Sequence, residues 1–105
     1  MQKLLLSFLL MPAISFAAEA DYTLTIKDHR FQPAEFSIPA GKKIKLIVTN
    51  QDSSPEEFES SALNREKVIM GGQSGTLYIG PLDSGRYPFM GEFNQTTAQG
   101  VIVAE

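Results

Sequence analysis

The spacing of turn-forming residues is the feature that most constrains the fold. Glycine, proline, asparagine and aspartate recur between short apolar segments, at intervals of roughly eight to twelve residues. The segment at residues 43–50 (KIKLIVTN) is apolar and β-branched, as expected of a central strand. The pattern predicts an all-β, antiparallel Greek-key sandwich of about seven short strands. The predicted strands are residues 21–28, 35–38, 43–50, 56–60, 76–79, 86–90 and 101–104.

One segment does not fit this pattern. Residues 61–68 (SALNREKV) are the only candidate for a helical turn, because they combine helix formers with charged residues and show no clear alternation. Elsewhere no amphipathic helix of useful length is predicted.

The first twenty residues have the composition of a secretory signal peptide. A short basic start precedes an uncharged apolar run at residues 4–16, and small residues follow it. We therefore expect residues 1–20 to be cleaved, leaving one exported domain at residues 21–105. An uncleaved membrane anchor is the alternative, although the apolar run is short for a span.

Cysteine content and charge exclude several function classes. The chain contains no cysteine, so thiol catalysis and thiolate metal sites are excluded. The net charge of −3 argues against nucleic acid as a partner. No triad order, phosphate-binding glycine loop or nucleophile motif is present, and we expect the protein not to be an enzyme.

Three motifs in order resemble the cupredoxin family. They are residues 31–42 (FQPAEFSIPAGK), residues 44–52 (IKLIVTNQD) and residues 80–89 (GPLDSGRYPF). The resemblance covers the whole segment that follows the predicted signal peptide, and it implies a cupredoxin-like sandwich.

A narrower resemblance is to the cupredoxin-like domain of EfeO-type iron-uptake systems. It is based on residues 56–60 (EEFES), 65–68 (REKV) and 91–94 (GEFN). Such domains lie in the bacterial periplasm beside a membrane iron permease. The resemblance therefore implies a metal ion and a permease or another periplasmic uptake component as partners.

The copper ligands of electron-transfer cupredoxins are missing from the matching positions. A histidine is expected after Pro55, where this chain has Glu56; cysteine and histidine are expected where it has Gly91 and Asn94. A type 1 copper site needs two histidines and a cysteine. We therefore expect no type 1 copper. The EfeO-type relatives commonly have histidine at the position of Asn94, so this residue also departs from the narrower family.

Carboxylates and thioethers remain as candidate ligands. Glu57 and Glu59 are two residues apart on an extended segment and therefore point to the same face. If Glu92 reaches across from the later loop, the crowded carboxylates repel one another unless a cation or a proton intervenes. With Met90 beside this loop, we predict a site for iron or copper at Glu57, Glu59, Met90 and Glu92. The alternatives are a solvated strand face for the glutamates and ordinary packing for the methionine.

Two further side chains could act as ligands but have simpler interpretations. His29 is the only histidine and is interpreted as a surface residue. Asn94 is typical of a turn.

Two functional hypotheses follow. The first is a periplasmic metal-binding accessory protein that serves iron or copper acquisition beside a membrane permease. The second is a metal-free β-sandwich that acts as a protein-interaction module of the cell envelope. A copper-dependent oxidoreductase acting on iron is a third hypothesis, which the missing cysteine and histidine disfavour.

Overall fold

The fold is described from a computed structural model that covers residues 20–105. The predicted signal peptide therefore lies outside the described residues, apart from its final Ala20. Within the described range, no helix has the length and apolar character needed to cross a membrane.

Two sheets pack against each other as a sandwich, which confirms the predicted all-β class. The first sheet has the strand order β2-β1-β4-β7. Its strands are β1 (Tyr22–Lys27), β2 (Arg30–Gln32), β4 (Ile44–Asn50) and β7 (Ser74–Ile79). The second sheet has the order β3-β9-β8-β5-β6. Its strands are β3 (Glu35–Ile38), β5 (Glu56–Ser60), β6 (Arg65–Ile69), β8 (Gly85–Gly91) and β9 (Gln99–Ala104). A 3-10 turn, Glu92–Asn94, follows β8.

The described residues form nine strands rather than about seven, and β2 and β6 are the additions. The predicted helical turn at residues 61–68 is wrong, because Arg65–Ile69 pairs antiparallel with all of β5. Asn64 has a φ of 56°, in the left-handed region that asparagine tolerates. The hydroxyl of Ser60 accepts a hydrogen bond from the Leu63 amide at 3.0 Å. These two features close a hairpin where the sequence indicated a helix.

The sequence predicted antiparallel sheets, but two of the strand pairs are parallel. β1 pairs parallel with β4, and β3 pairs parallel with β9. The chain crosses to the second sheet at β3 before it returns to the first sheet with β4. Because of this crossover, β4 enters beside β1 in the same direction.

The core lies between the sheets. It consists of side chains that point inward from alternate positions along the strands. Phe31, Phe58 and Phe89 form its aromatic centre, with ring centroids 4.9 Å apart for Phe31 and Phe89 and 5.0 Å apart for Phe58 and Phe89. Phe58 and Phe89 belong to the neighbouring strands β5 and β8. The core therefore fixes these two strands, which carry the candidate site residues.

The loop between β4 and β5 is held by one buried amide. The Asn50 side chain donates to the carbonyls of Ser54 (2.8 Å) and Ile69 (3.1 Å) and accepts from the Asp52 amide (3.0 Å). Asn50 is fully buried. These bonds fix the point at which β5 begins, and with it the direction of the side chains along β5.

Candidate metal centre

The alternation of β5 separates its glutamates onto two faces. Glu56, Phe58 and Ser60 are buried, whereas Glu57 and Glu59 between them are partly exposed. Strand geometry requires this result, since successive side chains point to opposite sides of the sheet. One strand therefore presents carboxylates both to the interior of the sandwich and to its outer face.

On the outer face, three glutamates from the β5–β6 hairpin come together. Carboxylate oxygens of Glu57, Glu59 and Glu66 all lie within 4.8 Å of one another. Glu59 and Glu66 are directly paired across the two strands. We call Glu57, Glu59, Glu66 and Glu92 the outer acidic cluster.

Glu92 completes this cluster from the 3-10 turn. Its carboxyl group lies beside that of Glu59, close enough for a hydrogen bond when one of the two carries a proton. The Gln95 side-chain amide donates to Oε2 of Glu92 at 3.1 Å. The structure therefore brings the predicted residues Glu57, Glu59 and Glu92 together and adds Glu66 to them.

Crowding shifts the protonation of the two strand residues. Burial raises the pKa of Glu57, and the charges of Glu66 and Glu92 raise it further. The hydrogen bond with Glu92 raises the pKa of Glu59, as do burial and the charge of Glu92. Both shifts mean that the fully ionised cluster is unfavourable by itself. A bound cation would relieve the same repulsion.

Met90 lies beside the cluster. It is the cross-strand partner of Glu59 on β8, so both side chains belong to the outer face. Both residues also line a groove of about 500 Å³ together with Pro88 and Gln99. The placement of Met90 is compatible with a thioether ligand at the edge of the cluster and equally with packing along this groove.

On the inner face, Glu56 has a different environment. It is 1% exposed. Its Oε1 accepts hydrogen bonds from the amides of Glu57 (2.9 Å) and Phe93 (2.8 Å). Its Oε2 accepts one from the Asn94 side-chain amide at 2.8 Å. This carboxyl group is therefore buried with three hydrogen-bond donors on its two oxygens, as a buried polar group requires.

Gly91 leaves the space that Glu56 occupies. A Cβ atom at Gly91 would lie 2.6 Å from both Cδ and Oε2 of Glu56, and 2.7 Å from the Cβ of Ala98. Such distances are well below van der Waals contact. The absence of a side chain at Gly91 is thus a packing requirement of the inner site.

The remaining candidate ligand, His29, lies outside both groups. The amides of Asp28 and His29 donate to the Asp52 carboxylate at 2.8 and 3.0 Å, within a turn where both residues have positive φ. The hydrogen bond from the His29 amide lowers the pKa of Asp52. The His29 ring is half exposed and 3.6 Å from that carboxylate.

Comparison with known proteins identifies the fold family. The family model of the cupredoxin-like domain matches residues 3–104. The chain belongs to the cupredoxin-like domain family. This cupredoxin-like protein is 46% identical over 80 residues to an uncharacterized protein of Rickettsia prowazekii, with 76% of the chain covered. It spans 64% of the length of that relative.

Solved cupredoxins share the fold at low sequence identity. Amicyanin from Paracoccus versutus superposes with a TM-score of 0.65 and 16% identity, covering 85% of this chain and 86% of its own. Auracyanin A of Chloroflexus aurantiacus, a blue copper protein, superposes with a TM-score of 0.68 and 11% identity, covering 79% of this chain and 96% of its own. At this level of identity the similarity establishes the fold alone.

The family implies copper, and the inner site of this cupredoxin-like protein does not fit a type 1 copper ion. The three positions of the motif, Glu56, Gly91 and Asn94, do converge in space. They supply neither thiolate nor imidazole, which a type 1 site requires. Three hydrogen-bond donors also face the Glu56 carboxylate, so most of its roughly four acceptor positions are already used.

Sequence reasoning missed the roles of two residues. Glu66 joins the outer acidic cluster because it pairs with Glu59, and this follows only once residues 65–69 are known to form a strand. Glu56 was noted only for replacing a histidine. Its position after Pro55 on the alternating strand β5, opposite the outward-facing Glu57, was the available signal for an inward carboxylate.

Proposed function

We propose that this cupredoxin-like protein is a metal-binding accessory protein of the bacterial periplasm that serves iron or copper acquisition. The cation is held at the outer acidic cluster, with Met90 at its edge. The role beside a membrane permease is supported by the resemblance to EfeO-type domains and by the sequence of residues 1–20, which has the character of a signal peptide.

The observation that carries the proposal is the convergence of Glu57, Glu59 and Glu66 within 4.8 Å. Several carboxylates from rigid, paired strands offer oxygen ligands suited to iron, manganese and copper(II) ions. Burial and the neighbouring carboxyl groups raise the pKa values of Glu57 and Glu59, so full ionisation of the cluster is unfavourable without a cation. A cation compensates this charge at neutral pH, when protons are scarce.

Calorimetric titration of the purified protein with Cu²⁺, Fe²⁺ under anaerobic conditions and Mn²⁺ tests the proposal. We expect at least one of these cations to bind to the parent protein and to lose most of its affinity in the Glu57→Gln/Glu59→Gln variant. The control is Glu35→Gln/Asp83→Asn, which removes the same charge from exposed positions elsewhere. No binding tighter than ~100 μM, about 5.5 kcal/mol, would contradict the proposal. Equal affinity in both variants would place the site elsewhere.

The second candidate, a metal-free interaction module, is favoured by one observation. The inner site of the family is closed by Glu56, and Phe93, whose backbone amide donates to Glu56, has a side chain that is 51% exposed. This candidate would be supported if the protein binds no cation in the titration and co-purifies with an envelope component after cross-linking.

A further inference from the structure

We propose that the buried carboxylate of Glu56 is the structural centre of the inner site, in place of a metal ion. It fills the ligand pocket and fastens residues 91–98 to β5, so that the inner site is organised without a metal. This inference concerns the inner face of β5 and is independent of cation binding at the outer acidic cluster.

Convergence of distant segments is the first observation. Glu56 bonds to Phe93 and Asn94, which are 37 and 38 residues away in the sequence. Asn94 and Gly91 stand where the motif of electron-transfer cupredoxins has ligands, and Glu56 stands at the third such position. The residues that would share a copper ion are thus joined directly by hydrogen bonds.

The second observation is that Glu56 and Gly91 fit each other. A side chain at position 91 would overlap the Glu56 carboxyl group, at 2.6 Å from Cδ and Oε2. The carboxylate therefore lies where the side chain of a ligand at this position would project. Glycine at position 91 and glutamate at position 56 are therefore two parts of one packing arrangement.

Charge satisfaction is the third observation. Glu56 receives two backbone N–H groups and one side-chain amide. No buried side-chain nitrogen or oxygen among residues 20–105 lacks a hydrogen-bond partner. The donors thus supply the positive electrostatic environment that a buried carboxylate needs, and no cation is required.

The loop that Glu56 anchors is also closed by its own backbone. The Asn94 carbonyl accepts from the Ala98 amide at 2.8 Å, and the Gly91 amide donates to the Ala98 carbonyl at 2.8 Å. Glu56 binds this closed loop at Phe93 and Asn94. One carboxylate can therefore position all of residues 91–98 as a unit.

A charge-swap cycle tests the Glu56–Asn94 contact. Asn94→Asp places a second carboxylate against Glu56, and we expect it to lower the Tm by roughly 10 °C or more. Adding Glu56→Gln should restore at least half of this loss, because the Gln amide can donate to Asp. Thr96→Asp is the control, since it adds the same charge at an exposed position of the same loop.

Two results of this cycle would overturn the inference. They are an Asn94→Asp variant as stable as Thr96→Asp, and a lack of restoration by Glu56→Gln. If Asn94→Asp does not fold, folding of the Glu56→Gln/Asn94→Asp pair counts as the restoration, and failure of that pair to fold counts against the inference.

Metal independence is measured separately in the Glu57→Gln/Glu59→Gln variant, in which the outer acidic cluster is disabled. We expect the same Tm, and the same hydrogen-exchange rate at the Phe93 amide, with a chelator and with Cu²⁺. Exchange that becomes tenfold faster on chelation and slows again with Cu²⁺ would show that a metal organises the loop, which contradicts the inference. Because this variant lacks two of the four outer carboxylates and is expected to have lost most of its cation affinity, this result is separate from the test of the proposed function.

Discussion

Glu56 and Glu59 lie three residues apart on β5, yet their carboxylates have opposite environments. Glu56 is buried and accepts three hydrogen bonds from N–H donors. Glu59 is partly exposed and faces the carboxyl groups of Glu66 and Glu92. The pleat of the strand accounts for this difference, because it sends odd and even positions to opposite faces.

The comparison shows how one residue type serves two purposes. A buried carboxylate is stable only when donors satisfy it, and this requirement makes Glu56 part of the framework. Carboxylates that face one another repel unless a cation or a proton compensates their charge. On our proposal, cation chemistry in this protein therefore belongs to the outer face, while the inner site that binds copper in blue copper proteins has become structural.

The largest effect on stability is expected from Gly91→Ala, which places a side chain in the inner site. The new Cβ would lie 2.6 Å from the Glu56 carboxyl group and 2.7 Å from the Cβ of Ala98. The carboxylate cannot move aside without losing its hydrogen bonds, so we expect a loss of about 3 kcal/mol or more in the free energy of unfolding. Urea denaturation measures this loss.

Gly75→Ala is the matched control for that substitution. Its Cβ would meet Cε of the Lys67 side chain at 3.0 Å and Cγ1 of Ile69 at 3.1 Å, and both contacts are relieved by a shift of a few tenths of an ångström. We expect a loss below about 1 kcal/mol. Equal losses of unfolding free energy in the two variants would mean that contact with Glu56 does not make position 91 unusually sensitive to a side chain.

Glu66→Gln tests whether this residue is a ligand in the outer acidic cluster. Glu66 was not predicted as a ligand, but its carboxylate lies within 4.8 Å of those of Glu57 and Glu59. We expect the affinity for the bound cation to fall roughly tenfold, which corresponds to about 1.4 kcal/mol. Glu35→Gln serves as the single-charge control in the same titration. An unchanged affinity in Glu66→Gln would remove this residue from the site.

The smallest effect is expected in the pH dependence of stability without metal. The pKa values of Glu57 and Glu59 are raised in the folded state, so that state binds more protons than the unfolded chain. The stabilising contribution is full below the ordinary carboxyl pKa, roughly 4.3, and is lost as the pH rises through the raised values. The parent protein should therefore lose more stability over this range than Glu57→Gln/Glu59→Gln.

Urea unfolding at a series of pH values, with a chelator present, measures this difference. Parallel curves for the parent and the double variant would show that the outer carboxylates do not repel one another in the folded state.

The strands that sequence predicted correctly are those with a strong apolar pattern. Residues 43–50 are β-branched and apolar, and β4 occupies nearly this range. β6 was missed because three of its five residues are exposed and its charged sequence has no alternation to detect. The parallel pairs could not be predicted either, because they depend on the chain crossing between the sheets.

The candidate site was predictable only in part for the same reason. The two-residue spacing of Glu57 and Glu59 indicated a shared face, and the structure shows them together with Glu92. Glu66 enters through strand pairing, which the sequence did not show. The contact between Glu56 and Asn94 joins residues 38 positions apart and depends on the tertiary fold. Metal binding by any of these residues stays a prediction.

The most direct measurement is anomalous diffraction from crystals of this protein soaked with Mn²⁺ or Cu²⁺. The account predicts a peak on the outer face, within ligand distance of the Glu57, Glu59 and Glu66 carboxylates, and no peak between Glu56 and Asn94. A peak at the inner site, bound by Glu56 and Asn94, would contradict it.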